Sequence, residues 1–297
     1  MNYTITEIAT IGKAQKRAYK DYTITALLTD SRSLTFPEET LFFALVTERN
    51  DGHRYIKDLY RKGVRNFVVE HRVADEELMP EENFIIVKNT LDALQQLAAA
   101  HRKKFDIPVI GVTGSNGKTT VKEWLYQLLQ PDYNTVRSPR SYNSQIGVPL
   151  SVWQIGSKTE MAIFEAGISQ PDEMIHLEEI IKPTLGLITN IGEAHQEGFQ
   201  TIQQKCIEKL TLLKACDCII YDGDNELICE CVEKLCFGCR EIAWSRKDRD
   251  KPLYISKIIK GNDSTKIEYT YLQYHSYITI PFVEDASIEN AIHCLAV

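Results

Sequence analysis

The segment Gly111-Val-Thr-Gly-Ser-Asn-Gly-Lys-Thr-Thr120 holds three glycines ahead of a lysine and two threonines. Glycines let a backbone curl until successive N–H groups point at one anion. The lysine adds an ammonium for outer phosphate oxygens, and the hydroxyl of Thr119 suits Mg2+. Pro108 to Thr113 is an apolar, β-rich run, and Lys118 to Gln130 has helical spacing. The loop therefore sits between a buried strand and a helix N-terminus, which adds partial positive charge. The spacing departs from G-x-x-x-x-G-K-[ST] at one place: Val112 stands where that pattern has glycine, and Gly114 supplies the bend. A plain strand-to-helix turn leaves the glycines and the Lys-Thr pair without a reason.

Other residues could complete a phosphate site. Glu165 ends the apolar strand Ala162-Ile-Phe-Glu165. The C-terminal ends of parallel strands are where open α/β sheets bind ligands, so Glu165 can hold a cation opposite Thr119. Thr189-Asn190 ends a further strand and His195 follows in the next loop. A loop histidine is usually only polar surface, and position alone singles this one out. Lys205 and Lys209, four apart on one helix, read by themselves as a solvated face.

The elements that must carry these groups alternate. Up to residue 106, strand-like pieces (Thr23–Leu28, Leu41–Val46, Asn66–Val69, Phe84–Val87) alternate with helices at His53–Lys62 and from Thr90, read as its cap, to about Lys104. From residue 107, the strands Pro108–Thr113, Met161–Glu165, Leu185–Thr189 and Cys218–Tyr221 are separated by helices, including Asp172–Ile181 and Ile202–Lys214. That alternation predicts βαβ units and a mainly parallel sheet flanked by helices. Leu253 to Phe282 changes to an antiparallel pattern, and Ala286 to Val297 reads as a helix. The fold class is α/β: a small mixed domain over 1–106, then a phosphate-loop domain over 107–297. The final helical pattern stops at Val297 without a capping residue, so the expectation is a fragment of a longer protein.

Composition bounds the rest. The 297 residues are 43% hydrophobic and 25% charged, enough for one or two cores. A net charge of -7 speaks against broad nucleic-acid binding. No apolar run reaches the roughly 18 residues of a membrane helix, and Met1 to Lys20 is not a secretory signal. The eight cysteines all lie in the second half. Cys229, Cys231, Cys236 and Cys239 are too closely spaced for a usual zinc site, and Asn225–Leu235 reads as a helix that splays them. Reduced thiols packed as small hydrophobes are the expected reading.

Taken together, the residues 113–123, Thr-Gly-Ser-Asn-Gly-Lys-Thr-Thr-Val-Lys-Glu, resemble the Mur ligase family, in particular its D-alanyl-D-alanine-adding branch. So do Asp30-Ser-Arg32, Leu41-Phe-Phe-Ala-Leu45, Asp51-Gly-His53 and Tyr142-Asn-Ser-Gln-Ile-Gly-Val-Pro149. Glu165-Ala-Gly167, Thr189-Asn-Ile-Gly-Glu-Ala-His195 and Asn290 follow in the family's order, and the resemblance spans nearly the whole chain. It implies a bacterial cytoplasmic enzyme of cell-wall precursor synthesis. In that reading the first domain binds the UDP end of UDP-N-acetylmuramoyl-tripeptide through Ser31 and Arg32. The central domain binds ATP through Thr113, Gly114, Ser115, Asn116, Gly117, Lys118, Thr119 and Thr120, with Asn290 near the adenine. Asn143 and Ser144 contact substrate, Ser144 standing where the family has asparagine. Thr119 and Glu165 hold one Mg2+, and His195 holds a second with a carbamylated lysine. Lys205 is the implied lysine and Lys209 the fallback, because Glu208 lies three residues beyond Lys205 instead of two. Lys118, Asn190, His195 and Lys205 are the implied catalytic set. A third, C-terminal domain would help to bind D-alanyl-D-alanine. The alternatives are a tripeptide-forming relative, a folylpolyglutamate synthetase, which the UDP-type first domain disfavours, and a non-catalytic nucleotide-binding fragment.

Overall fold

A computed structural model of the chain describes residues 2–12, 14–17, 20–48, 50–72, 79, 82–192 and 198–297. It divides into two compact units: Met1–Phe105 with Val152–Ser157, and Asp106–Ser151 with Lys158–Val297.

In the first unit, β1 (Tyr3–Thr4) runs into α1 (Ile5–Ile11), where Thr4 and Glu7 form a capping box. There follow β2 (Gln15–Arg17), β3 (Thr23–Ile24), β4 (Ala26–Leu28), β5 (Thr40–Phe43), β6 (Val46–Thr47), β7 (Asn50–Asp51), α2 (Ile56–Arg61), β8 (Asn66–Val69), β9 (Asn83–Ile86) and α3 (Thr90–Arg102). The main sheet has the order β2-β9-β8-β5-β4, parallel except for β2. Phe42, Phe67 and Phe84 fill its core, with Ile56 and Leu59 from α2. The predicted strand Thr23–Leu28 is two strands. β3 pairs with β1 and β4 with β5, because Thr25 between them turns its N–H to the Glu39 carbonyl and its hydroxyl to the Glu39 carboxylate. Asn89, not Thr90, caps α3, its side chain accepting from the N–H groups of Leu91 and Asp92.

Residues Val152–Ser157 join this unit through Trp153, an excursion absent from a division at residue 106. The Trp153 indole donates to the Thr25 carbonyl at 2.9 Å and packs on Tyr3 and His101. His101 bonds the Ile155 carbonyl through Nε2 and the Tyr3 hydroxyl through Nδ1. Burial pushes it down to about 4, so it is the neutral tautomer that donates from Nε2.

The second unit contains β10 (Val109–Thr113), α4 (Lys118–Leu129), β11 (Thr135–Arg137), α5 (Gly147–Val152), β12 (Met161–Glu165), α6 (Glu173–Ile181), β13 (Leu185–Ile188), α7 (Ile202–Leu210), β14 (Cys218–Asp222), α8 (Glu226–Leu235), β15 (Arg240–Ser245), β16 (Leu253–Lys260), β17 (Thr265–Tyr271), β18 (Tyr274–Ile280) and α9 (Asp285–Leu295). Its sheet has the order β11-β12-β10-β13-β14-β15-β16-β17-β18. Neighbours are parallel as far as β16, and β16, β17 and β18 are antiparallel. The central strands read as unbroken apolar runs because helices cover both faces. The sequence reading lacks α1, α5, β1, β2, β7, β11 and β15, and it extends α7 over Thr211–Leu213, which is a 3-10 turn.

The core of this unit joins the sheet to α4 and α9. Ile110, Val112, Ile163, Leu187 and Ile220 meet Val121 and Leu125 of α4 and Ile288 and Ile292 of α9. β10 lies between β12 and β13, so the C-terminal ends of the three strands bring Thr113, Glu165 and Thr189 to one edge. All eight cysteines are free thiols, and Cys206, Cys216, Cys231 and Cys294 are buried. No helix among the described residues is long and apolar enough to cross a membrane. Leu125 is 1% exposed and holds α4 to the sheet. Leu125→Ala is expected to lower unfolding free energy by about 2–5 kcal/mol, read by urea denaturation.

Candidate active site

The loop after β10 is shaped by contacts that leave no space for side chains. Gly114 has φ +138, and a Cβ there would lie 2.0 Å from the Thr189 hydroxyl. Gly117 has φ +80, and its Cβ would meet Asn290 Oδ1 at 2.3 Å. Both positions demand glycine for conformation and for space. The end of β13 braces the loop: Ser115 N–H donates to the Asn190 carbonyl at 2.8 Å and Asn116 N–H to Asn190 Oδ1 at 3.0 Å. Thr189 Oγ1 donates to the Asn116 carbonyl at 2.6 Å. Ser115 Oγ accepts from Gly192 N–H at 2.9 Å. Asn190 thus fixes the loop's path, and Asn290 seats α9 against its last glycine.

Lys118 opens α4. Its ammonium donates to the Gly114 and Ser115 carbonyls at 2.9 and 3.0 Å. Burial pulls its pKa down, the Glu165 carboxylate opposes that, and the Lys205 cation adds to it. Thr119 Oγ1 donates to Glu165 Oε2 at 2.8 Å, and Thr120 follows on the same first turn. Glu165 is 1% exposed. It also accepts from Asn143 Nδ2 at 2.6 Å, and its own N–H donates to Ser138 Oγ at 3.1 Å. Asn143 is therefore turned onto Glu165. Ser144 caps the segment entering α5, its hydroxyl accepting from Gly147 N–H at 3.2 Å.

A cavity of about 320 Å3 opens beside these groups. Lys118, Asn143, Ser144, Glu173 and Lys209 are among its lining residues. The two lysines of α7 are placed differently. Lys205 Nζ donates to the Gly192 carbonyl at 2.5 Å, while Lys209 faces the cavity with Lys118. Burial brings the Lys209 amine down to about 7, with the Lys118 and Lys205 cations adding to the effect. Its neutral form is thus accessible near neutral pH. His195 lies outside the described residues.

The paired hydroxyl and carboxylate of Thr119 and Glu165 are hard oxygen donors that fit Mg2+. Glycine N–H groups, Lys118 and a helix N-terminus are the donor types that can receive a polyphosphate. Sequence reasoning passed over Lys122, Ser138 and Glu173. Only Lys122 carried a usable signal: it lies four residues beyond Lys118, on the same helix face.

In the first unit, Asp30 caps a 3-10 turn over Ser31–Ser33. The Arg32 guanidinium pairs with Asp30 at 2.6 Å and is mostly exposed. The Arg32 partnership holds the Asp30 carboxyl down to about 2.

The Mur ligase middle domain matches residues 112–297, and the Mur ligase catalytic domain family matches residues 23–102. The chain belongs to the Mur ligase family. Over 222 residues it is 35% identical to a Bacillus subtilis protein named UDP-N-acetylmuramoyl-tripeptide--D-alanyl-D-alanine ligase, covering 73% of this chain and 47% of that one. The chain spans about half the length of the curated relatives it matches. A crystal structure of MurF from Acinetobacter baumannii superposes with a TM-score of 0.90 at 24% identity, over 100% of this chain and 64% of that one. A Thermotoga maritima MurF ligase in complex with ADP gives 0.79 at 23% identity, over 91% of this chain and 61% of that one. These superpositions establish the shared fold.

Gly114→Ala is expected to abolish saturable binding of a fluorescent ATP analogue, since both φ and the Thr189 contact oppose a Cβ. Circular dichroism checks that the variant folds. Binding at wild-type strength would show that the loop does not take phosphate in this shape.

Proposed function

We propose that this chain supplies the precursor-binding and ATP-binding portions of a cytoplasmic ligase that joins D-alanyl-D-alanine to UDP-N-acetylmuramoyl-tripeptide. The observation that carries the reading is the pairing of Thr119 with the buried Glu165 at the strand ends, beside a cavity that Lys118 lines. The names of the relatives support the choice of substrates. The first unit takes the UDP end, with Ser31 and the exposed Arg32 as contacts. The D-alanyl-D-alanine side draws on a further C-terminal domain.

The reaction joins a carboxylate to an amine through an acyl phosphate. A substrate carboxylate oxygen forms a bond to the γ-phosphorus, and the bond to ADP breaks. The amine nitrogen then attacks the acyl carbon, phosphate leaves, and the ammonium proton is lost. The first step brings anions together, a repulsion of roughly 4 kcal/mol for two unit charges at 4 Å and an effective dielectric of 20. The Lys118 ammonium, released from its loop carbonyls, bonds the transferring phosphoryl oxygens. The loop N–H groups would hold the adjoining phosphates, and Asn290, which abuts Gly117, would face the nucleoside. Mg2+ held by Thr119 and Glu165 would neutralise phosphate charge and orient the γ-phosphate.

A carbamylated lysine belongs to this reading, and the geometry favours Lys209 over Lys205. Lys209 faces the cavity, and the neutral amine is the form that adds CO2. Lys205, bonded to Gly192, is the alternative. A carbamate turns a cation into an oxygen ligand for a second Mg2+, which His195 would share.

In the full-length enzyme, wild type is expected to form the amide product and release phosphate, while Lys118→Ala forms none. Lys209→Ala is expected to be inactive and partly restored by acetate or bicarbonate. Rescue confined to Lys205→Ala would exchange the two roles. Absence of amide product from wild type would overturn the assignment.

A further inference from the structure

Lys122 lies one helical turn beyond Lys118 and is completely buried. An ammonium removed from water loses several kcal/mol of hydration unless each N–H finds an acceptor. Here the three N–H donors have three close acceptors. They are the Ser138 carbonyl at 2.8 Å, the Arg140 carbonyl, and Glu123 Oε1 at 3.0 Å. Glu123 is in turn held by Arg137 at 2.8 Å. The donors are thus spent on the segment leaving β11 and on a neighbour in the same helix.

Glu165 Oε2 lies 4.0 Å from the same ammonium, beyond hydrogen-bond reach. The relation between Lys122 and Glu165 is therefore one of charge alone. The two Glu165 oxygens remain turned toward Thr119 and Asn143, where a cation would sit. The segment that Lys122 ties down includes Arg140, a non-glycine residue with φ 49. It continues through Ser141, which lies 3.4 Å from Thr119 Oγ1, to Asn143. One buried cation therefore both fixes this segment and stands behind the proposed metal-binding carboxylate.

We propose that Lys122 is a positioning residue that sets the metal affinity of the Thr119–Glu165 pair by acting as a counter-cation to Glu165. The inference rests on the proposed reading of that pair as a Mg2+ site. A positive charge behind the carboxylate weakens its hold on a divalent cation. It also keeps Glu165 paired when no cation is present. A purely structural lysine predicts the opposite effect of neutralisation, because loosening residues 138–143 would misplace Asn143 and weaken metal binding.

The sign of the effect is the test. Binding of a fluorescent ATP analogue to this chain is measured against Mg2+ concentration for wild type, Lys122→Met and Lys122→Arg, with thermal melts to establish folding. Lys122→Met is expected to lower the Mg2+ midpoint on the order of tenfold, because a cation near the metal has been removed. Lys122→Arg keeps the charge and is expected to stay within about threefold of wild type. A Lys122→Met midpoint equal to or above that of wild type, in a folded protein, would overturn the proposal. If Lys122→Met does not fold, Glu123→Gln carries the test. With Glu123 neutral, the ammonium's charge falls more fully on Glu165, and the midpoint is expected to rise several-fold. No rise would overturn the proposal. Nucleotide binding by wild type that ignores Mg2+ would sink the metal-site reading itself, and the inference with it.

Discussion

Charges taken out of water need partners, and this site buries more lysine than carboxylate. Lys122, Lys205 and Lys209 are each at most 2% exposed, and Lys118 is largely enclosed. Glu165 is the buried carboxylate beside them. The molecule meets this constraint in three ways. Lys118 and Lys205 donate to backbone carbonyls of the loops around the site. Lys122 divides its charge between Glu123 and Glu165. Lys209 is pushed toward neutrality. A polyphosphate brings the negative charge that this arrangement lacks, so the electrostatics and the proposed ligand explain each other.

The scaffold makes that cluster possible. Parallel strands β10, β12 and β13 end at one edge, and each delivers one part: the glycine loop, Glu165, and the Thr189-Asn190 brace. The brace leaves no room for a Cβ at Gly114, and α9 leaves none at Gly117. Backbone N–H groups are thus held in place before any ligand arrives, which lowers the entropy lost on binding. His293 of α9 strengthens the same edge, since its Nε2 donates to the Thr189 carbonyl and its Nδ1 accepts from the Trp244 indole.

Much of this was legible in sequence because the signals are local. A glycine loop between a β-branched run and an amphipathic helix is written in consecutive residues, and so is a carboxylate ending an apolar strand. The α/β alternation and the antiparallel change after Leu253 were legible for the same reason. What sequence left open depends on contacts between distant segments. Thr25 splits a strand because Glu39 captures it, and Trp153 carries its neighbours into the first unit. Asn143 turns to Glu165 across twenty-two residues. The choice between Lys205 and Lys209 depends on which one the turn of α7 points at the cavity, and spacing along the chain alone does not show that. Lys122 carries a local hint in its place one turn beyond Lys118, but its burial follows only from the segment after β11 closing over it.

The central claim is that this cluster of cations and backbone donors is built for a polyphosphate bound with Mg2+. Calorimetric titration of ATP, ADP and AMP into the chain, with and without Mg2+, tests it most directly. The account predicts saturable ATP binding that weakens as phosphates are removed and strengthens with Mg2+. AMP binding as tightly as ATP, or ATP binding indifferent to Mg2+, would contradict it.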